Sequence, residues 1–91
     1  MSDAPPFEFR ISVPHDPRLA AAVRGVAIQA AQYVGCDAAQ AEAFGRSVEE
    51  IVRSYLVDEA SAHDVKIVIR RAAGPLEIQI ESRTITLEPS A

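Results

Sequence analysis

The stretch from Asp37 to Leu56 has the sequence pattern of an amphipathic helix. Its apolar residues recur at helical spacing and form a single stripe: Ala41, Phe44, Val48, Ile51, Val52 and Tyr55. Asp37 is a favourable N-cap, and Gln40 three residues later completes the sequence pattern of a capping box. Such a helix draws most of its stability from covering its stripe, so the remaining segments must provide an apolar surface for it.

Two finer features of this helix give specific expectations. Glu42 precedes Arg46 by four residues, which is the favourable acid-first order for a surface ion pair. Glu49 stands in the same relation to Arg53. Gly45 costs a helix roughly 1 kcal/mol relative to alanine. It either marks a close backbone approach or is simply tolerated, and tolerance is the favoured interpretation.

Four segments alternate apolar and polar residues, as half-buried strands do. They lie at residues 7–13, 65–70 and 76–81, and around Ile85 and Leu87. Apolar positions are even-numbered in the third segment but odd-numbered in the fourth. A bulge or a tight turn near Ser82 and Arg83 must therefore absorb one residue, because otherwise the fourth strand would face the wrong way.

Another helix is predicted between the first strand and Asp37. Asp16 is a good N-cap and Pro17 suits the first helical position. The helix should end near Val34, because Gly35 is a natural stop. Its apolar face is expected to comprise Leu19, Val23, Val26, Ala27, Ala30 and Val34.

The order of elements is therefore β-α-α-β-β-β. Two helices with apolar stripes and strands with one apolar face predict an α+β fold, a two-layer sandwich with both helices on one face of a largely antiparallel sheet. The expected organisation is a flexible N-terminal tail at 1–6, a single domain at 7–88 and a C-terminal tail at 89–91.

Composition excludes several classes of partner. The 91 residues carry a formal net charge of −4 and an isoelectric point near 5.0. No basic stripe is available to meet phosphates, so nucleic-acid binding is not expected. The apolar runs are far shorter than a membrane span, and the first residues lack the charged and apolar regions of a signal peptide. We therefore expect no membrane association.

Cysteine and histidine usage argues against a metal or disulfide site. Cys36 is the sole cysteine, so an internal disulfide or a zinc cluster of cysteines is impossible, and a cytoplasmic setting is expected. We expect its thiol to be an unreactive, small apolar group. His15 and His63 have no second histidine or cysteine at metal-ligand spacing, and solvated loop residues are the expectation for both.

The order of motifs resembles a known family. A strand is followed by Pro-His-Asp-Pro, a long helix, a second helix containing VEEIVRSYL, and a hairpin containing LEIQIES. From about Phe7 to Ser82, this order resembles the first half to two-thirds of the ATP-binding domain of anti-sigma-factor serine kinases. These bacterial signalling proteins belong to the gyrase, Hsp90 and histidine-kinase ATPase superfold.

The resemblance also identifies positions where nucleotide-binding residues would be expected. In that family a glutamate on the second helix is followed four residues later by a magnesium-ligating asparagine, and the matching positions here are Glu50 and Ser54. An Asp-x-Gly-x-Gly segment follows the hairpin strand, where this chain has Ser82, Thr84 and Thr86. Serine has no carboxylate, and threonine lacks the backbone freedom of glycine. The sequence also stops before the family's ATP lid. The resemblance therefore implies vestigial positions with no ATP, no metal and no catalytic residue.

Three functions remain open. The favoured one is a non-catalytic regulatory or protein-interaction module, whose partner would be a regulator or sigma-factor-pathway protein, a second copy, or both. It predicts an exposed apolar patch on the second helix or an open sheet edge. The second is a degenerate ATP-binding kinase component whose site is completed by another chain. The third is a small self-associating structural domain that forms a symmetric dimer.

Overall fold

The chain forms one antiparallel sheet with two helices between its first and second strands. A computed structural model describes residues 6–57, 63–71 and 74–88. Its elements are β1 (Phe7–Val13), α1 (Ala20–Tyr33), α2 (Ala38–Leu56), β2 (Val65–Arg71), β3 (Leu76–Ile80) and β4 (Arg83–Leu87). The predicted α+β class and element order are confirmed. The predicted tails are residues 1–6 and 89–91. Except for Pro6, they lie outside the described residues.

The strands lie in the order β1-β2-β3-β4, and each is antiparallel to the next. The register sets Ile69 opposite Ile78, and Ile78 opposite Ile85. One face of the sheet is therefore lined by branched apolar side chains that the helices cover. The largest fully buried side chains are Val48, Val52, Leu56, Ile67, Ile69, Leu76, Ile78 and Ile80. No polar or charged side chain of the described residues is buried.

A two-residue turn joins β3 to β4. Ile80 pairs with Arg83, so Glu81 and Ser82 form the turn, and Glu81 takes a φ of 53°. In such a hairpin the numbers of paired residues sum to an odd value. Even-numbered side chains of β3 therefore share a face with odd-numbered side chains of β4. The tight-turn alternative is confirmed, and the apparent slip in parity is the signature of the turn itself.

The start of the first helix differs from the prediction. Asp16 does cap a helical segment, because its Oδ1 accepts a hydrogen bond from Arg18 N–H at 3.0 Å. That segment is a single 3-10 turn, Pro17–Leu19, and regular α-helix begins only at Ala20. Hydrogen bonds from the Arg18 side chain and backbone N–H lower the pKa of Asp16 to about 2. The cap is therefore ionised at any physiological pH.

The end of α1 follows the prediction. Gly35 has a φ of 103°, and its N–H donates to Gln32 O at 3.1 Å. Cys36 N–H donates to Ala31 O at 3.0 Å, which completes a Schellman motif. The chain then turns directly into α2, whose N-cap Asp37 accepts from Gln40 N–H at 2.7 Å.

At Gly45 the two helices pack closely together. A Cβ built there would lie 2.6 Å from Cγ1 of Ile28 and 3.2 Å from Cγ of Arg24. The interpretation of a merely tolerated glycine is therefore wrong, because the position has no room for a methyl group unless Ile28 moves. The sequence of α2 alone does not contain this information, since the obstructing atoms belong to α1.

Ion pairs span the same helix interface. Arg24 of α1 lies 3.2 Å from a Glu42 oxygen and 3.6 Å from a Glu49 oxygen. The predicted pair of Glu49 with Arg53 is present at 2.8 Å. For Glu42, however, the partner in the structure is Arg24 and not the predicted Arg46.

Candidate interaction surface

Half of the apolar face of β1 is left uncovered. Only Val13 is buried, whereas the Phe9 side chain is 53% exposed although it points to the same face. On the facing helix, Val26 is 40% and Tyr33 is 58% exposed. Val26, which was predicted for the apolar face of this helix, is therefore not part of the buried core. Together with Phe7, these residues form an apolar patch at one edge of the molecule.

The patch is open because the part of α1 beside β1 carries small side chains. Ala22, Gly25 and Ala30 stand where larger residues would be needed to cover two phenylalanines. The result is a groove of about 680 Å³, lined by Phe7, Phe9, Ala22, Gly25, Val26, Gln29, Ala30 and Tyr33. A second groove of about 200 Å³ continues along β1 to Val13 and shares Ala22 and Val26 with the first.

Aromatic contacts order the larger groove. The ring of Phe7 lies 5.6 Å from the ring of Tyr33 in an edge-on arrangement. The ring of Phe9 lies 5.3 Å from that of Phe7. Both separations fall in the range at which aromatic pairs attract each other. The patch is therefore a surface whose three rings are held in place by contacts within the chain.

The backbone of β1 has an open side next to this patch. Glu81 N–H donates to Lys66 O at 3.0 Å, and Lys66 N–H donates to Glu81 Oε2 at 2.7 Å. Lys66 therefore directs both backbone groups toward β3, and because these directions alternate, odd-numbered residues of β2 direct theirs toward β1. Those residues pair with the odd-numbered residues of β1. The backbone groups of Glu8, Arg10 and Ser12 consequently point outward, where the described residues contribute no further strand.

Charged side chains line the other face of β1. Arg10 Nε donates to Glu8 Oε2 at 2.8 Å, and the two side chains are 79% and 40% exposed. Further along, Ser12 Oγ donates to Asp64 Oδ2 at 3.0 Å and accepts from Lys66 Nζ at 3.0 Å. We call the whole region, the open edge of β1 with both grooves, the interaction surface.

The five vestigial positions do not come together in the structure. Glu50 and Ser54 are exposed on the solvent side of α2, and Ser54 Oγ donates to Ile51 O at 2.7 Å. Thr84 and Thr86 are exposed on β4, opposite Gln79 and Glu77.

Those two threonines lie on the sheet face that points away from the helices, because their β3 partners alternate with the buried set. Ser82 is exposed in the β3–β4 turn. The sheet and the helical core therefore separate the α2 positions from the β4 positions, and no shared pocket contains them.

Cysteine and histidine residues form no second site in the described part of the chain. Cys36 is buried, and this burial, with a smaller effect from Asp37, raises the pKa of its thiol. That environment disfavours the reactive thiolate, as predicted. His63 is exposed, with Nε2 3.8 Å from Glu81 Oε1. Across residues 6–57, 63–71 and 74–88 no group of histidine, cysteine, aspartate and glutamate side chains is arranged to hold a metal ion.

Two further findings bear on the class of protein. None of the helices in the described residues has the length and apolar character needed to cross a bilayer. Comparisons with protein-family models, with curated proteins and with solved structures found no match.

The sequence predicts an open sheet edge or an exposed apolar patch on the second helix. The structure has both features, at β1 and on the first helix. A usable signal was present, since Phe7 and Phe9 alternate on one side of β1 while α1 offers mainly alanine and glycine. A helix face this small cannot cover two phenylalanines.

Proposed function

We propose that this chain is a non-catalytic protein-interaction module that binds its partner through the interaction surface. The observation that carries the proposal is the exposed aromatic patch beside an open strand edge. An unpaired strand offers a row of backbone donors and acceptors, and a neighbouring apolar groove offers side-chain pockets. Aromatic residues are also enriched in protein interfaces. No other region of the described residues combines these properties.

The preformed character of the patch supports binding to a folded or extended protein segment. The ring of Phe7 already contacts the rings of Phe9 and Tyr33, so a partner would not have to order them. Tyr33 and Phe9 can contribute a large apolar area with few rotatable bonds. The resemblance to anti-sigma-factor kinase domains adds an expectation about the biological setting, a bacterial regulatory pathway.

Site-specific photo-crosslinking tests the proposal directly. We expect p-benzoylphenylalanine in place of Tyr33 to form a discrete protein adduct in the cells that normally make this chain, because Tyr33 lines the larger groove. The matched control carries the same group at Glu50, which is exposed on the opposite side of α2 from the core. Mass spectrometry of the adduct identifies its second component. An equal yield at both positions, or no adduct at Tyr33, would refute the proposal.

Nucleotide titration separates this function from the ATP-binding alternative. We expect no heat when millimolar ATP with Mg²⁺ is titrated into the protein, because the positions that should hold them carry Ser54, Ser82, Thr84 and Thr86 and lie on different faces. Isothermal calorimetry is the measurement, with ADP as a second ligand. Saturable binding below millimolar concentration would mean that other residues form a nucleotide site.

A further inference from the structure

We infer that the partner of the interaction surface is a second copy of this chain, paired antiparallel along β1 about a twofold axis at Phe9. The inference rests on the proposed function and specifies its partner. What carries it is the order of charges on the open edge: Glu8 and Arg10 flank Phe9 and have opposite signs. A twofold axis at Phe9 sets each of them against the other in the second copy.

The charges select this register among the alternatives. The outward backbone groups belong to even-numbered residues, so two β1 strands can pair only with a residue on the axis. An axis at Glu8 sets acid against acid, and an axis at Arg10 sets base against base, which is destabilising across a strand pair. An axis at Ile11 sets Glu8 against Pro14 and Arg10 against Ser12, so neither charge meets its opposite. An axis at Phe9 sets Glu8 against Arg10 at both ends of the pairing.

The backbone groups also match in this register. Glu8 N–H donates to Arg10 C=O of the second copy, and Arg10 N–H of that copy donates back to Glu8 C=O. The next outward group, Ser12 N–H, donates to the carbonyl of Pro6 of the second copy, and the ladder ends there because Pro6 has no N–H to donate back. The two four-stranded sheets then continue as one sheet, and neither copy keeps an open edge at β1.

The apolar side of β1 matches as well. Phe9 lies opposite Phe9 of the second copy as a pair without backbone hydrogen bonds, the arrangement that brings side chains closest. Phe7 lies opposite Ile11 of the second copy, so the larger groove of one chain meets the smaller groove of the other. The exposed faces of Phe9 and Val26 then lie along one seam.

The same charges have a competing interpretation. Charged residues on an edge strand often prevent unwanted pairing. A run of one sign serves that purpose in every register, whereas one acid and one base repel only in the wrong registers. The sequence of β1 thus specifies one pairing and disfavours its neighbours, which is how a symmetric interface sets its own register.

Charge reversal tests this register. We expect Arg10→Glu to raise the dimer dissociation constant about tenfold, because two attractive pairs become two repulsive ones. The double variant Glu8→Arg/Arg10→Glu should return to within about threefold of the original value, since the pairs are again complementary. Sedimentation velocity across a dilution series measures each constant.

The matched control adds a charge on the same sheet face away from the edge. Thr84 lies opposite Gln79 on β4, and β2 and β3 separate it from β1, so Thr84→Glu adds an acid to that face without touching β1. We expect its dissociation constant to equal that of the unaltered chain. Circular dichroism of every variant verifies folding. A monomer up to millimolar concentration, or a double variant no tighter than Arg10→Glu, would overturn the inference.

Single cysteines give an independent readout of the axis. In a Cys36→Ala background, Phe9→Cys should form an intermolecular disulfide, because opposite Cα atoms of such a pair lie about 4.5 Å apart. Glu8→Cys and Arg10→Cys should not, because each lies roughly 8 Å from its own copy in this register, which is beyond disulfide reach. A disulfide at Glu8 or Arg10 but not at Phe9 would place the axis elsewhere and overturn the assigned register.

The two proposals fail differently. An adduct at Tyr33 that contains only another protein, together with a monomer in sedimentation, would overturn the second copy as partner and leave the interaction module standing. No adduct at Tyr33 or Glu50, together with a monomer in sedimentation, would refute both proposals. A self-adduct at Tyr33 with restored pairing in the double variant supports both.

Discussion

Replacing Ile78 with alanine is expected to lower the free energy of unfolding by about 3 to 4 kcal/mol. Ile78 is fully buried at the centre of β3, with Ile69 opposite on one side and Ile85 on the other. Truncation removes three methyl or methylene groups and leaves a cavity that two rigid neighbouring strands cannot close. A domain of this size has a total stability of roughly 5 to 14 kcal/mol, so the loss is a large share.

Urea denaturation followed by far-ultraviolet circular dichroism measures this change, because the chain has no tryptophan. The matched control is Ile85→Ala, the same substitution on the facing residue of the edge strand, where the side chain is only half-buried. We expect it to cost less than about 2 kcal/mol, since much of that side chain already meets water. All measurements need one protein concentration, because self-association adds to apparent stability. Equal losses at both positions would contradict the placement of the core.

The elements themselves were predictable because each obeys a local rule. Alternation identifies the strands, the spacing of Phe44, Val48 and Val52 identifies α2, and Asp37 and Gly35 mark helix boundaries. Even the turn between β3 and β4 was encoded, as a change of parity between Ile80 and Ile85.

Burial along β1 could not be predicted in the same way. The periodicity of Phe7, Phe9 and Ile11 shows that they share a face, but not whether a helix covers that face. Coverage depends on where α1 lies and on the size of its side chains. Val26 has the correct spacing for the apolar face of α1, yet it lines the open grooves beside β1 and is 40% exposed. The exposed patch at β1 could not be predicted for this reason, because a local sequence pattern does not show which element packs against it.

The uncovered face has a physical consequence for the whole molecule. A chain of 91 residues buries a smaller fraction of its surface than a larger domain, so each exposed aromatic side chain weighs more in its stability. The helices cover the apolar face of the inner strands β2 and β3, whereas apolar side chains of the edge strands stay partly exposed, and the exposed aromatic side chain of a strand lies on β1. Covering that edge with a partner both removes apolar surface from water and satisfies the open backbone. This is the physical basis of the interaction that we propose at that edge.

The second large prediction concerns Gly45, where two effects oppose each other. Alanine should gain about 1 kcal/mol from helix propensity, but its Cβ would meet Ile28 Cγ1 at 2.6 Å. Forcing a methyl group into a packed contact costs about 1 to 3 kcal/mol, so we expect Gly45→Ala to lower stability. In an Ile28→Ala background the two closest obstructing atoms are gone and the flexible Arg24 side chain, with Cγ at 3.2 Å, is the remaining neighbour, so the same substitution should instead raise stability by up to about 1 kcal/mol.

A change of sign between backgrounds is the decisive result of this cycle, because independent sites would give additive effects. The matched control is Gly25→Ala on α1, where a Cβ would meet no atom within 4 Å. It should raise stability by about 1 kcal/mol in either background, since only propensity acts there. Urea denaturation of the original chain, the three single variants and the two double variants with Ile28→Ala measures every change in the free energy of unfolding. If Gly45→Ala behaved like Gly25→Ala, the close approach of α1 and α2 would be absent, and Gly45 would be a tolerated glycine after all.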